Sequence, residues 1–408
     1  MKKLNLTNFR IAIGLLIAVN LPTYAQQRPE PEKIQNGNFR YVAIGSSLSA
    51  GVRDGGIYAE SQQTAFPALL AKQMGINNFK SPLLPGTGTG RNYVEFNRNG
   101  DINIKTVKGQ YSDTKVPLPL ISGSVDNLAI PFQKMIYSIT DEFEQGAFPE
   151  GFDKRNYIHS NRYNGPEEKG ASYLKVLNKN LEKADFFTYE LGMDDFTSYY
   201  NSGGFRQDIS AMVFDRETFF PEERILNILQ SKGAKGVIIN LPDMLSLPFY
   251  NYLSYDFLVD KLNRKPFIER FGKNDVRVAA DGDRFLPTPA VLQSLKGVSE
   301  DGLTMEKPFK DEDVIGIEEV VSPEMYNKYL DALAKRYQFP LFDLHELYKQ
   351  ITENTYAAPE GITIDSKTFF SLDGITPSAL GHSVITNELI NTINKYYNTQ
   401  IPLIQIKQ

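Results

Sequence analysis

The fold is announced by Tyr41-Val42-Ala43-Ile44-Gly45-Ser46-Ser47-Leu48-Ser49-Ala50-Gly51. Four apolar residues run into a glycine and then into small residues. A strand buried on both faces reads as a continuous apolar run, so this pattern predicts a short buried strand that enters a tight turn. Gly45 and Gly51 permit a sharp bend that a Cβ would obstruct. A serine on such a turn, here Ser47, holds its hydroxyl above the carboxyl end of the strand, where open α/β sheets place their ligands. An ordinary turn has the same local look, so the surrounding sequence must carry the distinction.

Working outward, three further apolar runs read as buried strands: Phe186 to Leu191, Gly236 to Leu241 and Phe339 to Leu344. Between them lie helical patterns at Thr64 to Met74, Ala171 to Lys183, Ile225 to Lys232 and Met325 to Tyr337. A long terminal helix runs from Ser378, its N-cap, to Tyr397. Helices alternating with short apolar strands predict a three-layer α/β/α sandwich with a mainly parallel sheet. The pattern weakens near 86–126 and 251–319. Both segments read as loop insertions, the second lying over one end of the sheet without a core of its own.

The chain has 408 residues, of which 41% are hydrophobic, enough to bury a large core. Its net charge of −5 gives no basic footprint for nucleic acid or anionic membranes. With no cysteine there is no disulfide, thiolate nucleophile or thiolate metal site. Lys2, Lys3 and Arg10 precede an apolar run from Ile11 to Val19 and then Leu21 to Ala25, the order of a secretory signal cleaved after Ala25. The apolar run is short for a bilayer span, the alternative being an anchor left in place. Residues 1–25 are therefore read as signal peptide, 26–38 as a flexible leader and 39–408 as a single domain. The expected mature protein is exported, periplasmic or secreted, and soluble, without a membrane span, and with no cysteine it cannot carry a lipoprotein anchor.

The stretch around Ser47, with Asp54-Gly55-Gly56-Ile57-Tyr58 after it, resembles the nucleophile block of the SGNH/GDSL hydrolases, in the branch seen in Bacteroidota. Asn127-Leu128-Ala129-Ile130-Pro131-Phe132 resembles the second block, Gly192-Met193-Asp194-Asp195 the third, and Ser371-Leu372-Asp373-Gly374 with the following helix the last. The resemblance implies an SGNH-hydrolase/flavodoxin-like fold and hydrolysis of acyl esters of lipids or sugars through an acyl-serine, with no cofactor. It makes Ser47 the nucleophile and Asp373 the residue that orients the base. The same resemblance gives the base histidine's place to Thr376, and the two oxyanion-binding places to Phe132 and Asp194.

Threonine cannot act as a base, and losing the base typically costs several orders of magnitude in rate. A carboxylate at Asp194 would repel an oxyanion, and Phe132 brings bulk to a place where backbone must approach substrate. The favoured expectation is a catalytically impaired protein that binds an acyl or glycan ligand, or an envelope protein partner. The alternative is an active esterase with a rebuilt base. His382 is the candidate substitute, although six helical residues from Thr376 amount to roughly 9 Å.

The other candidates have plainer readings. His159 reads as a loop residue and His345 as structural. Gly86 to Arg91 looks like a glycine-rich phosphate loop but lacks the Gly-Lys-Ser/Thr ending, and reads as a flexible loop. Asp194 and Asp195, adjacent at a strand end, should point apart and so make a poor acid/base pair for glycoside cleavage. Lys310 to Asp313 reads as a solvated loop, with no metal-ligand spacing.

Overall fold

The computed structural model describes residues 38–97, 101–113, 115–138, 154–163, 171–181, 183–204, 221–270, 275–297 and 307–406. The expected signal peptide, 1–25, and leader residues 26–37 lie outside the described residues. In chain order the strands are β1 (Tyr41–Gly45), β2 (Gly90–Phe96), β3 (Ile102–Lys108), β4 (Phe186–Glu190), β5 (Lys235–Ile239) and β6 (Phe267–Arg270). They continue with β7 (Asp275–Val278), β8 (Arg284–Phe285), β9 (Phe309–Lys310), β10 (Val314–Ile315) and β11 (Leu341–Phe342).

The four apolar runs form one sheet in the order β1-β4-β5-β11, with every neighbouring pair parallel. All residues of β1 and β4 are buried, which requires cover on both faces of the sheet. Helix Phe66–Gln73 packs against the terminal helix Ala379–Tyr397. A second group joins Tyr173–Asn180, Pro221–Ser231 and Glu324–Tyr337. Each fully buried Phe or Leu of this core contributes about 1.5–3 kcal/mol. The architecture is α/β, with a parallel central sheet and smaller antiparallel and mixed sheets beside it.

The last strand is shorter than expected at both ends, for local reasons. The last strand holds only Leu341 and Phe342, not Phe339 to Leu344. Pro340 has no N–H for the ladder, and Asp343 leaves it to cap the next helix, Leu344–Thr352, its side chain accepting from the Glu346 amide. Ser378 caps the terminal helix as expected, its hydroxyl accepting from the Gly381 amide at 3.0 Å.

The described parts of the two insertions form strands that their sequences do not announce. The first contains the β2–β3 antiparallel hairpin. The second contains sheets β7-β6-β9 and β10-β8 and carries its own apolar cluster, including Leu253, Leu258, Leu262, Ile268 and Phe285. Val94 and Ile102 of the hairpin join that cluster, so the two insertions share a second core and the expectation of none is corrected. The signal was faint because these strands are short and bury alternate residues: Ile268 is buried, while Phe267 and Glu269 beside it are exposed. Among the described residues, no helix is long and apolar enough to cross a membrane.

Candidate functional site

A cavity of about 540 Å³ opens beside the carboxyl ends of β1 and β4. Ser47, Phe132, Asp194, Asp373 and Thr376, separated by up to 329 positions in the chain, all line it. Its outer wall comes from the hairpin, through Asn92, Val94 and Ile104, and from Pro287 to Pro289 of the second insertion. Each inner residue reaches the cavity through a sharp turn. Ser47 opens a one-turn helix, Ser47–Ala50, directly after β1. Asp194 lies in the first turn of helix Met193–Tyr200, which β4 reaches through Gly192 at φ +108°. Asp373 precedes Gly374, at φ +69°, whose carbonyl accepts the Phe249 amide at 3.0 Å.

The Ser47 hydroxyl oxygen accepts the Phe132 N–H at 2.9 Å. Phe132 achieves this at φ +62°, a left-handed conformation that costs a non-glycine residue about 1–2 kcal/mol. Its ring is swung against the Arg155 guanidinium, 4.0 Å from the ring centroid, and beside the His159 ring. The amide, not the bulk, therefore faces Ser47. The Ser47 N–H donates to Asp194 Oδ2 at 2.8 Å, so the carboxylate removes another backbone donor from the cavity. Among the described residues, no imidazole nitrogen hydrogen-bonds the Ser47 hydroxyl.

Asp373 is saturated. Its Oδ1 accepts the Ile375 and Thr376 amides, both at 2.8 Å. Its Oδ2 accepts the Gly55 amide at 2.8 Å and the Thr376 hydroxyl at 2.6 Å. Thr376 has one hydroxyl proton and gives it to Asp373. In the 3.0 Å contact between the Ser371 and Thr376 hydroxyls, Ser371 is thus the donor. A chain from Ser371 through Thr376 to Asp373 occupies the carboxylate edge that would orient an imidazole. Burial raises the Asp373 carboxyl above its ordinary value, and these hydrogen bonds oppose the shift.

The three histidines lie elsewhere or have other work. His382 is fully buried in the terminal helix, where its Nδ1 accepts the Phe66 amide at 3.2 Å and its Nε2 has no protein partner. It does not line the Ser47 cavity, so the substitute-base expectation is not met by its position. Burial lowers its pKa to about 3, which keeps the ring neutral. His159 is buried in helix Lys154–Ser160, correcting the loop reading, and lies next to Phe132. His345 is in helix Leu344–Thr352, with Nδ1 3.3 Å from the Leu241 carbonyl.

Carboxylates dominate the floor of the site. Asp194 and Asp195 sit on a helix, not a strand end, and they do diverge: Asp194 turns to Ser47, while Asp195 accepts the Met135 amide at 3.1 Å. Burial raises both, and the nearby Lys134 moderates Asp195. Sequence reading missed Glu190, the last residue of β4. It is fully buried beneath the Ser47 turn and accepts from the amides and hydroxyls of both Ser46 and Ser49 at 2.9–3.2 Å. Burial, with the Asp194 charge beside it, pushes its pKa up to about 7. Its signal was present: a single carboxylate closing an apolar run, in a chain where Ser46 and Ser49 flank the candidate nucleophile.

Among the described residues, no cluster of three or more His, Asp or Glu side chains is arranged to hold a metal ion. No protein-family model matches the chain, and no curated protein matches it.

Proposed function

We propose that this is an exported protein with an SGNH-hydrolase-like fold whose cleft binds an acyl or glycan ester and cleaves it poorly or not at all. The observation that carries the reading is the pairing at the cavity floor. Ser47 accepts from the Phe132 amide without an imidazole beside it, while Asp373 is occupied by Thr376. A hydroxyl in that setting is a weak nucleophile near neutral pH. The cavity supports binding, because its volume falls within the range of small-molecule pockets and it joins apolar walls (Val94, Ile104, Phe249) to polar groups (Asn92, Asn201, Ser198).

The test is equilibrium dialysis with octanoyl-sucrose, comparing the parent with Ile104→Glu. Saturable binding to the parent that Ile104→Glu abolishes supports the proposal, and absence of binding to the parent contradicts it. A second reading, an active esterase with a rebuilt base, draws support from the Asp194 carboxylate. Its Oδ2 accepts the Ser47 N–H, and burial raises its pKa above the ordinary carboxylate value. Asp194→Asn separates the two: it abolishes hydrolysis if Asp194 is the base and raises it if Asp194 only blocks the oxyanion place.

A further inference from the structure

A second groove, of about 680 Å³, lies apart from the Ser47 cavity and shares no lining residue with it. Its walls are the glycine turn Gly86 to Arg91, the end of β3 at Lys108, and the segment Lys367 to Leu372. The two sites back onto one another. The Asp54 amide donates to Ser371, the Gly55 amide to Asp373, and the Leu372 amide to Asp54.

Four cations line this groove, Arg53, Arg91, Lys108 and Lys367, against two carboxylates, Asp54 and Glu60. Both carboxylates are engaged. Glu60 pairs with the buried Arg53 at 3.0 Å, and Asp54 accepts from the Tyr58 hydroxyl and lies 3.9 Å from Arg91. Lys108 and Lys367 are exposed and have no carboxylate partner among the described residues. The groove therefore carries a net charge of two positive units, with two cations uncommitted.

The glycine turn adds donors. Gly88 and Gly90 are glycines for packing, since a Cβ would come within 2.0 Å of the Ile57 carbonyl and 2.3 Å of the Val107 carbonyl. This close docking corrects the flexible-loop reading and holds the turn fixed against the hairpin. Gly86, at φ +61°, and Thr87 are exposed, and their amides donate to no protein acceptor among the described residues. Consecutive amides without protein acceptors, beside uncommitted cations, supply the donors an anion-binding concavity needs.

We propose that this groove is a second ligand site, which takes the oxyanion of a small phosphate or sulfate monoester. The turn lacks the lysine and hydroxyl that follow a nucleotide-binding loop, so the site recognises a single oxyanion and not a polyphosphate.

The experiment is isothermal titration of the full chain at low ionic strength with inorganic phosphate, inorganic sulfate, glucose 6-phosphate and galactose 6-sulfate. The expected result is saturable binding of the sugar esters, tighter than that of the free ions, which added salt weakens. Lys108→Glu with Lys367→Glu should weaken it about tenfold, while Ser47→Ala leaves it unchanged. Both lysines are exposed, so the fold should survive, and a matching melting curve checks this. The milder pair Lys108→Gln and Lys367→Gln gives a smaller loss if the charge reversal unfolds the protein. Absence of saturable binding through the millimolar range overturns the proposal. So does equal affinity in a well-folded double variant, because the anion would then bind elsewhere.

Discussion

On the proposed reading of the cleft as an SGNH-like site, installing Thr376→His, Asp194→Asn and Phe132→Gly together should create an esterase from it. Thr376 lines the cavity, and its removal frees Asp373 Oδ2 from a 2.6 Å bond while leaving the Gly55 amide to hold the carboxylate in place. An imidazole at 376 would then have an orienting acceptor. A positioned general base contributes about 10²–10⁴ in rate. An oxyanion donor contributes about 10²–10³. Groups that act as a unit do not multiply freely, so the expected gain over the parent is about 10³–10⁵. Phe132→Gly should cost some stability. It relieves a φ of +62°, about 1–2 kcal/mol, but gives up the ring's packing on the Ala50–Val52–Ile57 cluster, about 1.5–3 kcal/mol, and its contact with Arg155, about 0.5–1 kcal/mol. The assay is p-nitrophenyl butyrate hydrolysis near pH 8, where the new histidine is neutral, with Ser47→Ala added to the triple variant as control. A triple variant that melts cooperatively and binds ligand, yet shows no Ser47-dependent gain, would mean that the cleft differs from a working esterase site by more than three side chains.

The remaining predictions concern the floor and walls of the site. Glu190 has a folded pKa of about 7, above its ordinary 4.5, so its contribution to stability is complete below pH 4.5 and fades as pH rises through 7. Glu190→Gln should therefore gain on the parent between those limits, by about 3 kcal/mol at most, in urea melts taken across that range. His382 has the opposite sign: with a folded pKa near 3 against 6.5 unfolded, its contribution is present above pH 6.5 and is lost as pH falls towards 3. His382→Phe should remove that acid-side dependence. It should also cost about 1–3 kcal/mol near pH 7 by leaving the Phe66 amide without its acceptor, and leave the behaviour of Ser47 unchanged. Gly55→Ala places a Cβ 2.1 Å from the Asn92 carbonyl at φ +69°. It should destabilise the protein by about 2–4 kcal/mol and loosen the hairpin, seen as faster amide exchange across β2 and β3.

How much of this was legible depends on the reach of each signal. The central sheet was, because strands buried on both faces need near-continuous apolar runs, and Tyr41 to Ile44 and Phe186 to Tyr189, broken only by Thr188, supply them. The five cavity residues were legible as positions in blocks but not as geometry. Sequence gave no means of knowing that Phe132 would turn its amide to Ser47 and its ring to Arg155, because that depends on a left-handed backbone at one residue. Glu190 was visible as a carboxylate in an apolar run, but its partners, Ser46 and Ser49, lie 144 and 141 positions away. The second core was hidden because its members come from two insertions, with Val94 and Ile102 distant in sequence from Leu258 and Phe285. The glycines of the 86–91 turn were visible, but their packing partners, Ile57 and Val107, were not.

Among the described residues, the Ser47 hydroxyl has no imidazole hydrogen-bonded to it, and so no effective base. Steady-state hydrolysis of p-nitrophenyl acetate and butyrate by the purified protein, side by side with Ser47→Ala, decides whether that matters. Equal, near-background rates are expected for the two proteins. Robust turnover by the parent that vanishes in Ser47→Ala would mean that a base acts on Ser47 after all.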